Sequence, residues 1–150
     1  LSRIGIAHNP LVVNQKLSIL NIKKNNFDIF HPTYYDPYFY KHLNNKPYIL
    51  TIYDMIHEHY SGKYFKKNDH VIKSKKYLSQ RADKIIAISE NTKKDIIELY
   101  NIEEKKISVV YLGSSLNILN TEGITEELPE KYVLFVGDRH LYKNFSFFGI

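Results

Sequence analysis

Hydrophobic residues in this chain form short continuous runs rather than alternating with polar residues. The runs cover residues 27–30, 48–53, 84–89, 107–111 and 132–136. Strands that are buried on both faces of a parallel sheet have this pattern, whereas strands with one exposed face alternate between apolar and polar positions. The pattern therefore predicts a parallel strand at each run.

Two segments between these runs have the apolar spacing of amphipathic helices. They are residues 69–82 and 90–100, and Ser89 is the expected N-cap of the second, because its hydroxyl can accept from amides of the first turn. Strands that alternate with helices predict an α/β fold, a Rossmann-like doubly wound parallel sheet. The apolar residues expected on the buried helix faces are Val71, Ile72, Leu78, Ala82, Ile96, Leu99 and Tyr100.

The distribution of glycine, proline and polar residues divides the chain into three parts. Residues 113–130 contain two Gly, one Pro and many polar residues, which is typical of a connector. We therefore predict a partial N-terminal domain over residues 1–112 and the start of a second domain over residues 131–150. Residues 1–26 contain a short apolar run at 3–8 and a helix-like segment, but no opening strand with a glycine-rich turn. We expect the natural chain to be longer at both ends.

The composition disfavours several classes of protein. Hydrophobic residues make up 43% and charged residues 25% of the chain, as in ordinary globular domains. Without cysteine there is no disulfide framework, thiol nucleophile or cysteine-bound zinc. No apolar run is long enough for a membrane span. Neither Gly-x4-Gly-Lys nor Gly-x-Gly-x-x-Gly occurs, which disfavours nucleotide triphosphatases and dinucleotide dehydrogenases. We expect a cytoplasmic protein.

The net charge of +5 is concentrated in one stretch of the chain. Residues 60–106 contain twelve Lys or Arg and seven Asp or Glu, a difference that accounts for the whole net charge. Lysine clusters such as Lys73, Lys75 and Lys76 mostly form solvated helix faces, and we favour this interpretation. The alternative is a surface that attracts membrane headgroups or nucleic acid.

Ligands of doubly wound sheets bind outside the carboxyl ends of the strands, so the residues after each run are candidates for chemistry. His31 follows the first run, where an imidazole can act as an acid or base or can bond a neighbouring loop; both roles remain open. Asp54 follows the second run and can bond a substrate hydroxyl or fix its own loop. Together with His57 and His59 it forms a set of zinc-ligand types, although such short clusters arise mostly by chance.

A basic pair follows the last run. Arg139 and Lys143 are expected at a strand end, just before a helix that is predicted to begin at Asn144. A guanidinium can engage two oxygens at once and an ammonium acts as a mobile point charge, so the pair suits an anion such as a diphosphate. A solvated basic turn explains the two residues equally well. Ser89 ends the third run, and Gly113 lies two residues beyond the fourth.

The tyrosines are unevenly distributed. Nine of the thirteen lie between Tyr34 and Tyr77, several of them near the first two strand ends. Their rings can line a cleft for a sugar or a lipid, or can pack in the core with the hydroxyl bonded. For most of them we favour packing.

Four blocks of the sequence resemble the glycosyltransferase family four, a group of nucleotide-sugar enzymes with the two-domain GT-B fold. The blocks are "FDIFHPTYY", "KPYILTIYDMIHEHY", "RADKIIAISENTKKDIIELYNIEEKKISVVYLGSS" and "YVLFVGDRHLYKNF". They follow the family's order and span most of residues 27–148. The third block is the most specific, because its Ala-Asp strand, its Ser-Glu-Asn-Thr helix cap and its Val-Val-Tyr-Leu-Gly strand occur at the family's spacing.

The resemblance implies a retaining, metal-independent transfer of a sugar from a nucleoside-diphosphate donor to an acceptor bound by the N-terminal domain, with no cofactor. Arg139 and Lys143 match the basic pair that holds the donor diphosphate and stabilises the leaving group. His31 and Asp54 match cleft residues and are the candidate catalytic residues.

Three positions depart from the family's pattern. Tyr53 replaces the His of a His-Asp pair, Ser115 stands where an Asp commonly follows the glycine before the connector, and Asp138 stands where many members have another Arg. The roles of those three side chains are therefore not carried over. Gly113 matches the glycine before the connector, and we assign it, with Ser89, to the cleft or the interdomain region.

The resemblance implies a hexosyltransferase of cell-surface polysaccharide assembly, for example of lipopolysaccharide. Its partners would be a nucleotide sugar and a saccharide or lipid-linked acceptor, with peripheral contact at the inner face of the cell membrane through residues 60–106. The family recognises the nucleotide in its second domain, so we expect this fragment to be inactive alone. The richness in Lys, Asn and Ile suggests an AT-rich bacterial gene.

Two alternatives to this function remain open. A non-enzymatic α/β module can bind nucleic acid or a protein partner through residues 60–106, although no nucleic-acid motif is present and we do not expect nucleic acid as a partner. A different GT-B enzyme, such as a sugar-nucleotide epimerase, fits the "SENTKKDI" and "YKNF" blocks less well.

Overall fold

The computed structural model describes residues 10–114, 129–139 and 141–148, which form two compact units, Leu1–Tyr111 and Leu112–Ile150. The predicted apolar run at 3–8 and most of the predicted connector lie outside the described residues. The division at residues 112 and 130 stays a prediction. The helices and strands of the first unit are α1 (Pro10–Lys23), β1 (Ile49–Ile52), α2 (Ile56–His59), α3 (His70–Arg81), β2 (Lys84–Ala87), α4 (Glu90–Tyr100) and β3 (Ile107–Val109).

Three strands form a parallel sheet in the order β1-β2-β3. Ile49 pairs with Lys84, and Ile85 pairs with Ile107. On the side of β1 away from β2, Phe30 makes a single parallel bridge to Tyr48. The predicted strands at 48–53, 84–89 and 107–111 are confirmed in shorter form, whereas the run at 27–30 contributes only this bridge. The predicted α/β fold, an incomplete Rossmann-like domain with a parallel sheet, is confirmed.

The core lies on one face of the sheet. Leu50 and Ile52 of β1 and Ile85 and Ala87 of β2 are fully buried, while Ile49, Thr51 and Ile86 on the other face are only half-buried. Within the described residues, burial therefore alternates along the strands, although the continuous apolar runs predicted burial on both faces. The helices contribute Leu78, Ala82, Ile96 and Tyr100 to the same core.

The predicted helices are confirmed, and their limits follow from their caps. Asp69 precedes α3, and its carboxylate accepts a hydrogen bond of 2.7 Å from the Val71 amide. After α4, Asn101 adopts the left-handed conformation that ends many helices (φ 52°). Leu99 was predicted on the buried face of α4, but its side chain is 42% exposed. This prediction was wrong because Ile96 and Tyr100 define the face that packs on the core.

Aromatic side chains pack against one another between the 3-10 helix Pro37–His42 and the start of β1. The Phe39 ring lies 4.8 Å from that of Phe30 and 5.5 Å from that of Tyr48. The Tyr48 hydroxyl donates to the Leu78 carbonyl at 2.6 Å, and burial raises the pKa of this phenol. Tyr40 lies edge-on to both Tyr48 and Tyr77. The predicted role, packing with a bonded hydroxyl, is confirmed for Tyr48, while Tyr40 and Tyr77 show the ring packing.

The predicted strand at residues 132–136 does not form. Tyr132, Val133, Leu134 and Val136 are exposed, and no strand of the described part of the chain pairs with them. A strand requires a neighbour that accepts and donates its backbone hydrogen bonds, so apolar character alone is insufficient here. None of the described helices is long and apolar enough to cross a membrane.

Candidate active site at the carboxyl edge of the sheet

The parallel sheet brings three predicted site residues to one edge. β1 ends at Ile52 and β2 at Ala87, and these strands run in the same direction as the bridge at Phe30. His31, Asp54 and Ser89 each follow one of these segments by one or two residues. Carboxyl ends of parallel strands form the usual ligand-binding edge of an open α/β sheet. The three side chains therefore lie where the sequence predicts them.

His31 is exposed and anchored to the sheet by one ring nitrogen. Its Nε2 lies 2.8 Å from the Thr51 Oγ1 on β1. This bond fixes the direction of the ring, while the exposure of the residue leaves it accessible to a ligand. The sequence left open whether His31 bonds a neighbouring segment or faces a ligand. The structure is compatible with both roles, because the ring is bonded to Thr51 and is still exposed.

Asp54 fixes its own loop. Its Oδ1 accepts from the Ile56 amide at 3.0 Å, so the carboxylate satisfies a free N–H in the first turn of α2. One residue earlier, the Tyr53 amide donates to the Tyr35 hydroxyl at 3.2 Å. Burial raises the pKa of the Tyr35 phenol despite this hydrogen bond, so the hydroxyl stays neutral. The Tyr53–Asp54 segment therefore has a defined conformation next to the strand end.

A buried ion pair that was not predicted from the sequence lies beneath this loop. The Lys75 ammonium lies 3.0 Å from the Glu58 Oε2, and the two side chains are only 1% and 6% exposed. The Tyr100 hydroxyl donates to the other Glu58 oxygen. Burial and then this hydrogen bond raise the pKa of Tyr100. The prediction of a solvated lysine face was wrong for Lys75, which stands four residues after Val71 and three before Leu78, on the apolar face of α3.

Ser89 caps α4, as predicted. Its Oγ accepts from the Thr92 amide at 3.1 Å and lies 3.0 Å from the Thr92 Oγ1. The Thr92 hydroxyl also donates to the Tyr53 carbonyl at 3.4 Å, which links the ends of β1 and β2. Ser89 therefore has a structural role at this edge.

The predicted basic pair lies in the second unit. The Arg139 guanidinium lies 4.4 Å from the centre of the Phe145 ring, and the Lys143 ammonium lies 5.2 Å from the centre of the Tyr142 ring. Both basic residues are exposed. Stacking on an aromatic face limits the motion of a cation without neutralising it, so both charges can still attract an anion.

The helix predicted after the basic pair does not begin where it was expected. Asn144 was predicted to begin a helix, but it adopts a left-handed conformation (φ 53°) between the short 3-10 helices Leu141–Lys143 and Phe145–Phe148. No α-helix N-terminus is therefore available there within the described residues. Gly113 also belongs to the second unit and is exposed, and a Cβ added to it would meet nothing within 4 Å.

The comparison with known protein families decides the family. The family model described as Glycosyltransferase Family 4 matches residues 8–117. This chain is a member of that family. The match covers the whole candidate edge of the sheet, while Arg139 and Lys143 lie outside it. The resemblance predicted from the sequence blocks is confirmed.

A curated protein provides a second comparison. The chain is 25% identical, over 143 residues, to an uncharacterized glycosyltransferase of Methanocaldococcus jannaschii. The alignment covers 83% of this chain and 35% of that protein. The chain thus spans about a third of the length of the relative that it matches. The bacterial origin expected from the composition stays a prediction.

Several cations of the basic stretch in this family member are used in contacts within the fold. Two ammonium groups donate to backbone carbonyls, Lys84 to Lys105 at 3.0 Å and Lys106 to Gln80 at 2.9 Å. Two others pair with carboxylates, namely Lys93 with Glu104 and Lys105 with Glu103. With Lys75 buried, residues 60–106 do not present all of their excess charge on one binding face.

The histidines of α2 point to different carboxylates. The His57 Nδ1 lies 3.2 Å from the Asp69 Oδ1, and the His59 Nε2 lies 2.8 Å from the Asp95 Oδ2. Asp54, the third member of the cluster considered in the sequence, instead bonds the Ile56 amide. Among the residues that the structure describes, no three His, Asp or Glu side chains are placed to hold a metal ion.

The Asp69 carboxylate predicts a pH dependence of folding. Burial opposes ionisation, but hydrogen bonds from the Val71 amide and from His57 lower the pKa of Asp69 below its ordinary value of 3.8. A lowered pKa in the folded state stabilises the protein above the unfolded pKa, and this contribution disappears as the pH falls through the folded value. Asp69→Asn keeps an N-cap side chain but removes the charge. We expect wild type to exceed this variant in stability at pH 6, and urea unfolding should show the difference shrinking below about pH 4. A difference that does not change with pH would contradict this expectation.

The cap of α4 predicts a moderate loss of stability. Ser89→Ala removes the acceptor of the Thr92 amide and is expected to lower the free energy of unfolding by about 1 kcal/mol. Ser89→Asp is the matched control, because aspartate is an equally good N-cap and should retain most of the stability. Urea unfolding of the three proteins measures the effect. Equal losses in both variants would mean that another property of the serine is required.

Proposed function

We propose that the natural protein containing this chain transfers a sugar from a nucleoside-diphosphate donor to a saccharide or lipid-linked acceptor. The observation that carries the proposal is the placement of His31, Asp54 and Ser89 at one edge of a parallel sheet in a member of Glycosyltransferase Family 4. An open α/β sheet binds ligands at this edge, and glycosyl transfer is the activity that the family name gives.

The proposed roles of the two cleft residues follow from their contacts. His31 is exposed and oriented by its bond to Thr51, so its ring can contact a sugar hydroxyl without first losing rotational freedom. Asp54 lies in a loop held by Tyr35 and by its own bond to Ile56. A carboxylate has acceptor capacity for several hydrogen bonds, so the bond to Ile56 is compatible with a second bond to a substrate hydroxyl.

Arg139 and Lys143 are proposed to bind the donor diphosphate. Bond cleavage at the anomeric carbon leaves both electrons on the diphosphate, so negative charge grows there in the transition state. A guanidinium and an ammonium near the departing diphosphate oxygen stabilise this charge. Electrostatic stabilisation of the transition state is often the largest single contribution to catalysis. The exposure of both side chains and their stacking on aromatic rings support this assignment.

The finer features of the proposal come from the family resemblance. We propose retention of the anomeric configuration, a hexose as the transferred sugar, no metal requirement, and a role in cell-surface polysaccharide assembly. The proposed location is the cytoplasm, with peripheral contact at the inner face of the cell membrane. The non-enzymatic module remains the alternative, but internal contacts of five lysines in residues 60–106 weaken its main support.

Donor binding in the presence of a chelator tests this proposal. The natural full-length protein is titrated calorimetrically with UDP-glucose, UDP-N-acetylglucosamine, GDP-mannose and ADP-glucose, each with and without EDTA. We expect one nucleotide class to bind with a Kd in the range of about 1 μM–1 mM, typical of enzyme substrates, and EDTA to leave the Kd unchanged. Loss of binding in EDTA would refute metal independence. Salt-dependent binding to double-stranded DNA, with no binding of any nucleotide sugar, would favour the alternative module.

A further inference from the structure

The short helix α2 is attached to its surroundings by every polar side chain that it carries. His57 contacts Asp69 before α3, Glu58 contacts Lys75 on α3 and Tyr100 on α4, and His59 contacts Asp95 on α4. A helix of four residues has little stability of its own, so these contacts determine where it lies. The Asp54 loop leads directly into this helix.

Lys75 connects this anchored helix to the candidate site. Its ammonium donates to the Glu58 carboxylate and also to the Asp54 backbone carbonyl, each at 3.0 Å. It also lies 5.0 Å from the centre of the Tyr35 ring, whose hydroxyl accepts from the Tyr53 amide. Two hydrogen bonds thus hold the Tyr53–Asp54 segment. The Tyr53 N–H is bonded to Tyr35, and the Asp54 carbonyl is bonded to Lys75.

The buried Lys75–Glu58 ion pair is expected to fix the positions of its neighbours more than it stabilises the fold. Both charged groups lose almost all contact with water, and a buried ion pair seldom exceeds well-packed apolar residues of similar volume in net stability. What such a pair does supply is a fixed direction, because an ammonium and a carboxylate each require partners at defined positions. In the described part of the chain, no buried side-chain nitrogen or oxygen lacks a hydrogen-bond partner, so this network is satisfied as it stands.

We propose that Lys75 is a positioning residue of the glycosyltransferase. It holds the Asp54 carbonyl so that the Asp54 carboxylate is directed for contact with the sugar, and Glu58 and Tyr100 hold Lys75 in place. The proposal rests on the proposed function of Asp54. Lys75 itself is 1% exposed beneath the loop, so its proposed role is to act through Asp54 and not by touching the sugar.

Two variants of the natural full-length protein separate positioning from simple stabilisation. Glu58→Gln removes one charge but leaves Lys75 able to donate to the Asp54 carbonyl. Glu58→Gln/Lys75→Met differs from it only in lacking that ammonium, and it leaves no unpaired buried charge. If the second variant is too unstable, Glu58→Leu/Lys75→Met replaces the pair with apolar side chains and serves the same purpose.

Hydrogen exchange followed by mass spectrometry measures the loop directly and needs no substrate. In the Lys75→Met double variant we expect the amides of Tyr53 and Ile56 to exchange about tenfold faster than in Glu58→Gln, because the loop loses a charge-assisted hydrogen bond. Amides of β2 are the internal reference, and dividing by their exchange rate in each variant corrects for the difference in global stability between the two variants. Unchanged protection of residues 53–56 in a folded double variant would overturn the proposal.

Kinetics provide the second readout, with the donor that binds in the calorimetric screen. A misplaced catalytic group lowers kcat. We expect kcat of the double variant to be about ten- to a hundredfold below that of Glu58→Gln, and the donor KM of the two variants to differ less than about threefold. Equal kcat in the two variants would overturn the positioning role. Absence of donor binding or turnover in wild type would instead contradict the proposed function, while the exchange measurement would still decide whether Lys75 holds the loop.

Discussion

Lys75→Met is expected to lower the free energy of unfolding by about 3–5 kcal/mol, the largest stability effect predicted for this chain. The variant keeps a side chain of similar length, so little packing is lost. It leaves the Glu58 carboxylate buried without its cation and the Asp54 carbonyl without its donor. Desolvation of an uncompensated charge then opposes folding. Urea unfolding of the natural protein at neutral pH measures the change.

The double variant Glu58→Gln/Lys75→Met is the decisive control for this expectation. Removing both charges eliminates the uncompensated carboxylate, so most of the lost stability should return. A mutant cycle with Glu58→Gln gives the coupling energy of the pair. A loss below about 1 kcal/mol in Lys75→Met, the range of exposed ion pairs, would contradict the buried pair.

Arg139→Ala is expected to produce the largest loss of activity. If its guanidinium stabilises charge on the departing diphosphate, removing it should lower kcat by about 100- to 1,000-fold. Lys143→Ala removes a second cation from the same short segment and should also lower kcat. Initial rates of nucleoside diphosphate release by the natural protein, at saturating donor, measure both effects.

A matched lysine in the same unit controls for nonspecific electrostatic effects. Lys131 is exposed and precedes the run at 132–136, and no role is assigned to it. Lys131→Ala should therefore keep kcat within about twofold of wild type, as expected of surface substitutions without specific contacts. If Arg139→Ala were as active as Lys131→Ala, the basic pair would not be the diphosphate site.

The core of the fold is predictable because its signals are local. The apolar runs at 48–53, 84–89 and 107–111 are separated by α3 and α4, which both have side-chain N-caps, and Ser89 occupies the cap position that its residue type favours. The run at 132–136 has the same composition but no strand in the described residues to pair with. Strand formation depends on a neighbour distant in sequence, and apolar content does not provide that information.

The candidate site is predictable in position but not in its supporting contacts. The rule for carboxyl ends of parallel strands places His31, Asp54 and Ser89 at one edge, and the structure agrees. Glu58 and Lys75 lie on two helices and are 17 residues apart in the sequence. No local sequence pattern shows that residues so far apart form a pair. Lys75 nevertheless lies at the spacing of the apolar face of α3, so a lysine at a core position was a detectable sign of a buried charge.

The most direct test of the central claim is sugar transfer by the natural full-length protein. The protein is incubated with the donor that binds it and with a panel of saccharide and lipid-linked acceptors, and the product is identified by mass spectrometry and its anomeric configuration by NMR. We expect a glycosylated acceptor with the anomeric configuration of the donor, formed equally well in EDTA. A full-length protein that binds no nucleotide sugar and glycosylates no acceptor would contradict the account, and an inverted product would contradict the retaining mechanism.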